Sequence, residues 1–306
     1  MKQWLKLALS ASFCVSTLIH ADPLLLGVAM AKYDDNFQTI LRNGVQKHAT
    51  ALEADIFMEN GQDNAELQMR QVRNLISSKV DAIIVAMVSD KGAPEMMRLA
   101  DAAKIPLVFV NRNPPAGQWP SLSAYVGSDE LESGTLQMEE LARRANYKGN
   151  VAVLVGDPNN AASALRTQDV EKVVAKYPNM KIVKKEVANW ERSQAATILV
   201  DWVKQGVDFS IVAANNDEMA IGAIMGLEKA GKNPKDYWVG GIDGTPDGLK
   251  LMADGKMAVS VFQDAIGQAN GSVDVALRLA RGEKPDSQLL WVPFKLITPE
   301  NRQQFE

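Results

Sequence analysis

Asp35 and Phe37 stand just beyond an apolar run, residues 24–30, and the same placement recurs down the chain. Asn111 and Arg112 follow the apolar run 106–110, and Asn160 and Arg166 follow 151–155. Trp190 comes after 182–187, Asn216 after 210–213, Asp243 after 238–242, and Gln263 after 258–262. These types suit a polyhydroxylated ring. Carboxylates accept hydrogen bonds from vicinal hydroxyls, Arg, Asn and Gln donate, and aromatic faces cover the ring's C–H surface. Each residue alone has a plainer role. Asp35 or Asn216 could serve only as a helix N-cap, Asp243 before Gly244 only as a turn, and Trp190 only as packing. Recurrence at corresponding ends in both halves of the chain favours a ligand site. Two carboxylates could also serve a glycoside-cleaving enzyme. As ionised acceptors of hydroxyls, Asp35 and Asp243 need no such chemistry.

The elements that must position these residues alternate. Strand-like runs cover 24–30, 54–58, 82–87, 106–110, 124–126, 151–155, 182–187, 210–213, 238–242 and 258–262. Most are continuously apolar, as parallel strands covered on both faces are. Helical patterns fill the gaps at 36–51, 64–79, 92–103, 130–145, 161–176, 192–205, 216–230, 246–253 and 265–280. That is more than one tidy sheet, so the fold class is α/β with two lobes of parallel sheet. Ligands of open α/β sheets bind outside the carboxyl ends of strands, where the polar residues collect. A turn-rich insert, Asn113-Pro114-Pro115-Ala116-Gly117, interrupts the first half.

Residues 1–21 form a secretory signal peptide: Lys2 and Lys6, an apolar stretch over 7–19, and small Ala21 before Asp22-Pro23. The stretch is too short for a membrane span, and Phe13 before Cys14 spoils a lipoprotein signal. Cleavage removes Cys14, the sole cysteine, and His20, which leaves His48 as the one histidine. A mature chain so composed has no thiolate site, no imidazole cluster and little scope for a Ser-His-Asp arrangement. His48, beside Lys47 in a helical pattern, is expected to be a half-exposed helix residue. Acidic residues outnumber basic ones, 37 to 33, before Lys2 and Lys6 are lost, which argues against nucleic acid as a partner.

With these residues in view, the chain resembles the sugar-binding type I periplasmic proteins, most closely the galactose/glucose- and ribose-binding branch that serves ABC importers. The carriers are Tyr33-Asp34-Asp35-Asn36-Phe37, the run 108–111, Tyr125-Val126-Gly127-Ser128-Asp129, Gly241-Ile242-Asp243, and the specific run Asn215-Asn216-Asp217-Glu218-Met219-Ala220. The resemblance spans the whole mature chain. It implies a binding protein and no enzyme, with two Rossmann-like lobes joined by three hinge crossovers near Gly127-Ser128, Gln263-Asp264 and Trp291-Val292. The lobes would comprise 22–127 with 265–291, and 128–264 with 292–306, and would close on one ligand. It further implies a periplasmic location, a monomer and no cofactor. The partner would be the membrane permease of an ABC importer, with a chemoreceptor as a second candidate.

Carried over position by position, Asp35 and Phe37 match the hexose binder's acidic and stacking positions, and Trp190 its second stacking face. Asn111, Arg166, Asn216 and Asp243 match polar ligand contacts, while Arg112 and Gln263 are similar to the ribose binder. The departures bear on specificity. Asn160 and Ala162 replace a His and an Asp, so the acid that faces a sugar's anomeric hydroxyl is missing. The hexose binder's calcium loop is also missing, since residues 145–150 lack spaced acidic oxygens. The chain is also similar to inositol-binding members through Val110-Asn111-Arg112, Gly156-Asp157 with Asn159-Asn160, and the run 243–248. Myo-inositol is the first choice, with a pentose or a modified hexose as the alternative. Residues 226–233 nearly spell a phosphate-binding loop, but Gly231 fits a helix C-terminal glycine better.

Overall fold

The computed structural model describes residues 22–306, so the signal peptide expected at 1–21 lies outside them. The first lobe begins with β1 (Leu25–Met30), α1 (Asn36–Ala51), β2 (Asp55–Asn60), α2 (Ala65–Ser77) and β3 (Ala82–Val85). It continues with α3 (Ala93–Ala103), β4 (Leu107–Val110) and β5 (Ser123–Gly127). The chain then crosses into α4 (Glu130–Arg144), β6 (Gly149–Val155), α5 (Ala161–Val174) and β7 (Met180–Val187). Next come α6 (Arg192–Lys204), β8 (Ile211–Ala214), α7 (Asp217–Lys229), β9 (Trp238–Gly240), α8 (Pro246–Ala253) and β10 (Ser260–Phe262). It returns through α9 (Ala265–Ala280) and β11 (Leu289–Trp291), then crosses a last time to β12 (Lys295–Ile297).

Two sheets result. The first has six parallel strands in the order β11-β5-β4-β3-β1-β2. The second has four parallel strands in the order β7-β6-β8-β9. Bridges Gly240–Val259 and Asp243–Phe262 attach β10 beyond β9, and β10 pairs antiparallel with β12. Three crossings between the lobes therefore lie at β5–α4, β10–α9 and β11–β12, the three places the sequence resemblance implies.

The central strands form because they are apolar without a break. Ala-Ile-Ile-Val in β3 and Leu-Val-Phe-Val in β4 are fully buried, whereas edge strand β2 alternates partly exposed residues. Helices cover both faces of each sheet. Packing of α9 onto β3, β4, β5 and α1 returns it to the first lobe. In the second lobe α6 and α7 approach closely because Gly222 and Gly226 lie against the backbone carbonyls of Arg192 and Ala196.

Several helix starts matter for the site. Side chains of Asp35, Asn160 and Asn216 cap α1, α5 and α7, accepting from the N–H groups of Gln38, Ala162 and Met219. Each capped helix begins at the carboxyl end of a strand, so the capping side chain is held in the cleft between lobes. Expected and observed elements differ mainly near the C-terminus, where β11 and β12 appear as strands of three residues each. The near-phosphate motif resolves as the end of α7, with Gly231 at φ +73° just past the cap. His48 lies on α1 and its Nε2 meets Asp274 of α9 at 2.8 Å.

Candidate functional site

All ten residues singled out in the sequence line one cleft between the lobes, which encloses about 460 Å³ with its open mouth included. Lys32, Gln38, Glu130 and Ala162 complete the lining. Asp35, Phe37, Asn111 and Arg112 come from the first lobe. Asn160, Arg166, Trp190, Asn216 and Asp243 come from the second, and Gln263 sits at a crossing.

On the first-lobe wall, Asp35 commits one oxygen to its cap, with Gln38 N–H at 2.8 Å. Its carboxyl is pushed above the usual carboxylate range by loss of hydration, against the pull of the Gln38 N–H and the Lys32 charge. Arg112 is steered by its Nη1, which donates to the carbonyls of Met87 and Val88 at 2.7 Å each. The segment that carries them is held by buried Gln68, which accepts from Val88 N–H and donates to the carbonyls of Ala29 and Ala86. Gln38 donates to Asn111, Asn111 to Gln268, and Gln268 to Ser128. This line of amides joins the cleft to the first crossing.

The second-lobe wall centres on Arg166. Its guanidinium binds Glu130 through two bonds, 2.7 and 2.9 Å, and donates to the Asn215 carbonyl at 2.8 Å. Burial opposes its charge, but the neighbouring carboxylates, Glu130 first and then Asp243, together hold Arg166 above its ordinary range. Asp243 lies 3.8 Å from Arg166, at φ +124° on a tight loop. Burial pushes the Asp243 carboxyl well up, and the nearby Asp217 and Asp35 add to the effect while Arg166 opposes it.

The run Asn215-Asn216-Asp217 divides its labour. Asn215 accepts from Gly156 N–H at 3.0 Å and from the Thr167 hydroxyl at 3.1 Å. Asn216 caps α7 with its Oδ1 and lines the cleft. Asp217 accepts from the N–H and hydroxyl of Thr245 and from the Ser260 hydroxyl, fixing the loop that carries Asp243. Burial raises the Asp217 carboxyl to about 6, with those three donors opposing.

Three buried polar atoms in the lining have no hydrogen-bond partner: Gln38 Oε1, Trp190 Nε1 and Gln263 Nε2. Buried groups of this kind are nearly always paired. Sequence reasoning did not single out Lys32, Gln38 or Glu130. Glu130 pairs with Arg166 across 36 positions, a separation with no local signature. Lys32 meets Glu191 of the opposite lobe at 2.7 Å.

Comparison with known proteins agrees with this architecture. Residues 26–284 match the family described as periplasmic binding protein domain. A Rhizobium meliloti protein, provisionally assigned as rhizopine-binding, is 41% identical over 100% of this chain and 99% of its own length. The xylitol-binding protein of Mycolicibacterium smegmatis is 30% identical over 96% of this chain and 83% of its own. An ABC transporter solute binding protein from Bacillus halodurans, solved with bound myo-inositol, superposes with a TM-score of 0.88 at 35% identity, covering 94% of this chain and 99% of that one. The chain belongs to the periplasmic binding protein family. It is a non-enzymatic solute binder of type I architecture.

Proposed function

We propose that this protein is the periplasmic solute-binding component of an ABC importer and that its cleft takes a cyclic polyol, myo-inositol first. The observation that carries this is the lining itself. Three carboxylates, two guanidinium groups, one ammonium and several side-chain amides line one cleft, and Phe37 and Trp190 supply apolar faces. Ala162 lines the same cleft where an acid for an anomeric hydroxyl would be expected. Relatives solved with myo-inositol or named for xylitol are consistent with a ring or chain of hydroxyls and no anomeric centre.

Asp35, Phe37, Asn111, Arg112, Asn160, Arg166, Trp190, Asn216, Asp243 and Gln263 are the proposed ligand contacts. Residues 22–127 with 265–291 and residues 128–264 with 292–306 move as the two closing bodies of a monomer, and a membrane permease receives the closed form. Among the described residues, no helix is long and apolar enough to cross a membrane.

Calorimetry of the mature protein against myo-inositol, xylitol, D-ribose, D-glucose and D-galactose tests the proposal. One myo-inositol per chain, with small-angle scattering showing compaction on saturation, is the expected result. Turnover of a polyol or glycoside, or no binding across the panel, would refute it. A dominant ribose signal would move the assignment to a pentose, on the strength of Arg112 and Gln263.

A further inference from the structure

Trp190 is held in the cleft without any hydrogen bond from its indole, because its buried Nε1 has no partner. Its position must therefore come from packing. Asn189 and Trp190 are consecutive left-handed residues, at φ +52° and +65°, so the chain doubles back at the end of β7 and turns the ring inward. Ala188 N–H is tied to the Val155 carbonyl at 2.8 Å, which draws this turn against the end of β6. There the ring meets Gly156. A Cβ built on Gly156 would overlap Cε2, Cζ2 and Cη2 of the indole at nearly equal separations. Near-equality places that Cβ over the ring's face, not its edge. The backbone of Gly156 is thus a flat floor beneath the outer ring of Trp190.

Gly156 has no unusual backbone angle to account for it, since it is not among the glycines at positive φ. The requirement is for space. The floor is also fixed: Gly156 N–H donates to Asn215 Oδ1, and Asn215 is locked by Thr167 and by its carbonyl to Arg166. Arg166 itself stands 5.7 Å from the Trp190 ring centre. We infer that Gly156 is a positioning residue that sets the height of Trp190, and with it the thickness of the slot in which a ring is recognised. A methyl group at 156 would lift the indole into the cleft by about its own thickness, since close-packed interiors transmit such shifts. This inference rests on the proposed role of Trp190 as a ligand-stacking face.

The test combines a ligand measurement with one that needs no ligand. Mature protein is labelled with 5-fluorotryptophan, and the Trp190 fluorine signal is assigned by its loss in Trp190→Phe. Gly156→Ala should move the Trp190 signal and leave those of Trp119, Trp202, Trp238 and Trp291 in place. It should also weaken myo-inositol binding tenfold or more. In a Trp190→Phe background, where the second ring that the methyl strikes is gone, the same change should cost less than threefold. An equal loss in both backgrounds, or a Trp190 signal that stays put, would overturn the inference. If wild type binds nothing in the panel yet the signal moves, the proposed ligand class falls and the seat stands. Should Gly156→Ala fail to fold, a folded Gly156→Ala/Trp190→Phe protein supports the seat, and failure of both overturns it.

Discussion

On the second-lobe wall of the cleft, nearly every polar side chain is held by another residue of the same lobe. On the first-lobe side, Lys32 and Asn36 reach across to the other lobe. Glu130, Arg166, Asn215 and Gly156 form one internal chain, and Asp217, Thr245 and Ser260 form another beneath Asp243. By contrast Lys32 bonds Glu191, and Asn36 bonds Glu218, both in the opposite lobe. Arg192 draws Glu218 and Asp247 together on that far side, so the Asn36 contact lands on a prepared cluster. The difference teaches how the work is shared. The second lobe serves as a receptor wall held by its own residues, and the first as a cover that holds Asn111 and Arg112 internally and bonds the other lobe through Lys32 and Asn36.

The strongest way to break this contrast is to cut the second-lobe chain. Glu130→Gln leaves the buried Arg166 charge with only Asp243, 3.8 Å away, as counter-ion, and loss of one partner of a buried pair costs about 3–5 kcal/mol. Urea unfolding should show a loss of that order. A loss under about 1 kcal/mol, the range of exposed pairs, would mean that Arg166 is not fixed by Glu130.

Next in size is the pair of carboxylates. Asp243→Asn keeps shape but removes a charged acceptor, so myo-inositol affinity should fall by about 1.5–3 kcal/mol. Asp35→Asn should cost less in binding, because one Asp35 oxygen is already spent on the α1 cap. Calorimetry that ranks the two in the opposite order would place the main acceptor on the cover instead of the receptor.

A pH series sharpens the same point. Burial raises both Asp217 and Asp243, so the folded protein binds protons more readily than the unfolded chain. Stability without ligand should therefore rise as pH falls from about 6, the Asp217 value, toward the ordinary carboxylate range. A hydroxyl donating to Asp243 favours its ionised form, so the ligand-induced rise in Tm should shrink over the same descent. Melting curves with and without myo-inositol check this, and a growing ligand effect on acidification would contradict it.

The smallest effect belongs to the rim. Lys32→Met removes a cross-lobe ion pair whose acidic partner is about half exposed, so binding should weaken by only about 1 kcal/mol or less. Folding stability should not follow. Added salt should mimic the substitution in wild type and do nothing further in the variant.

The strands and helices of both lobes were legible because central parallel strands are apolar without interruption and most helices, α3 and α6 excepted, carry a side-chain cap. Strands β11 and β12 were not, because runs of three residues are too short to carry a period. Residues at strand ends could be gathered into one candidate cleft from topology alone. Their supports could not. Glu130, Gln68 and Asn215 act through partners far along the chain, and nothing local marks a side chain that holds another one still. Asn216 shows the limit well: cap and cleft residue looked like rival roles in sequence, and one side chain fills both places in the fold.

The central claim is that the receptor wall reads a six-membered ring without an acid for an anomeric hydroxyl, and Ala162 is where it is tested most directly. Titrating wild type and Ala162→Asp with myo-inositol and D-glucose gives four affinities. Wild type should favour myo-inositol at least tenfold, since a buried hydroxyl left unpaired costs about 1–3 kcal/mol. Ala162→Asp should move that ratio toward glucose. Tight glucose binding by wild type, with none for myo-inositol, would contradict the account.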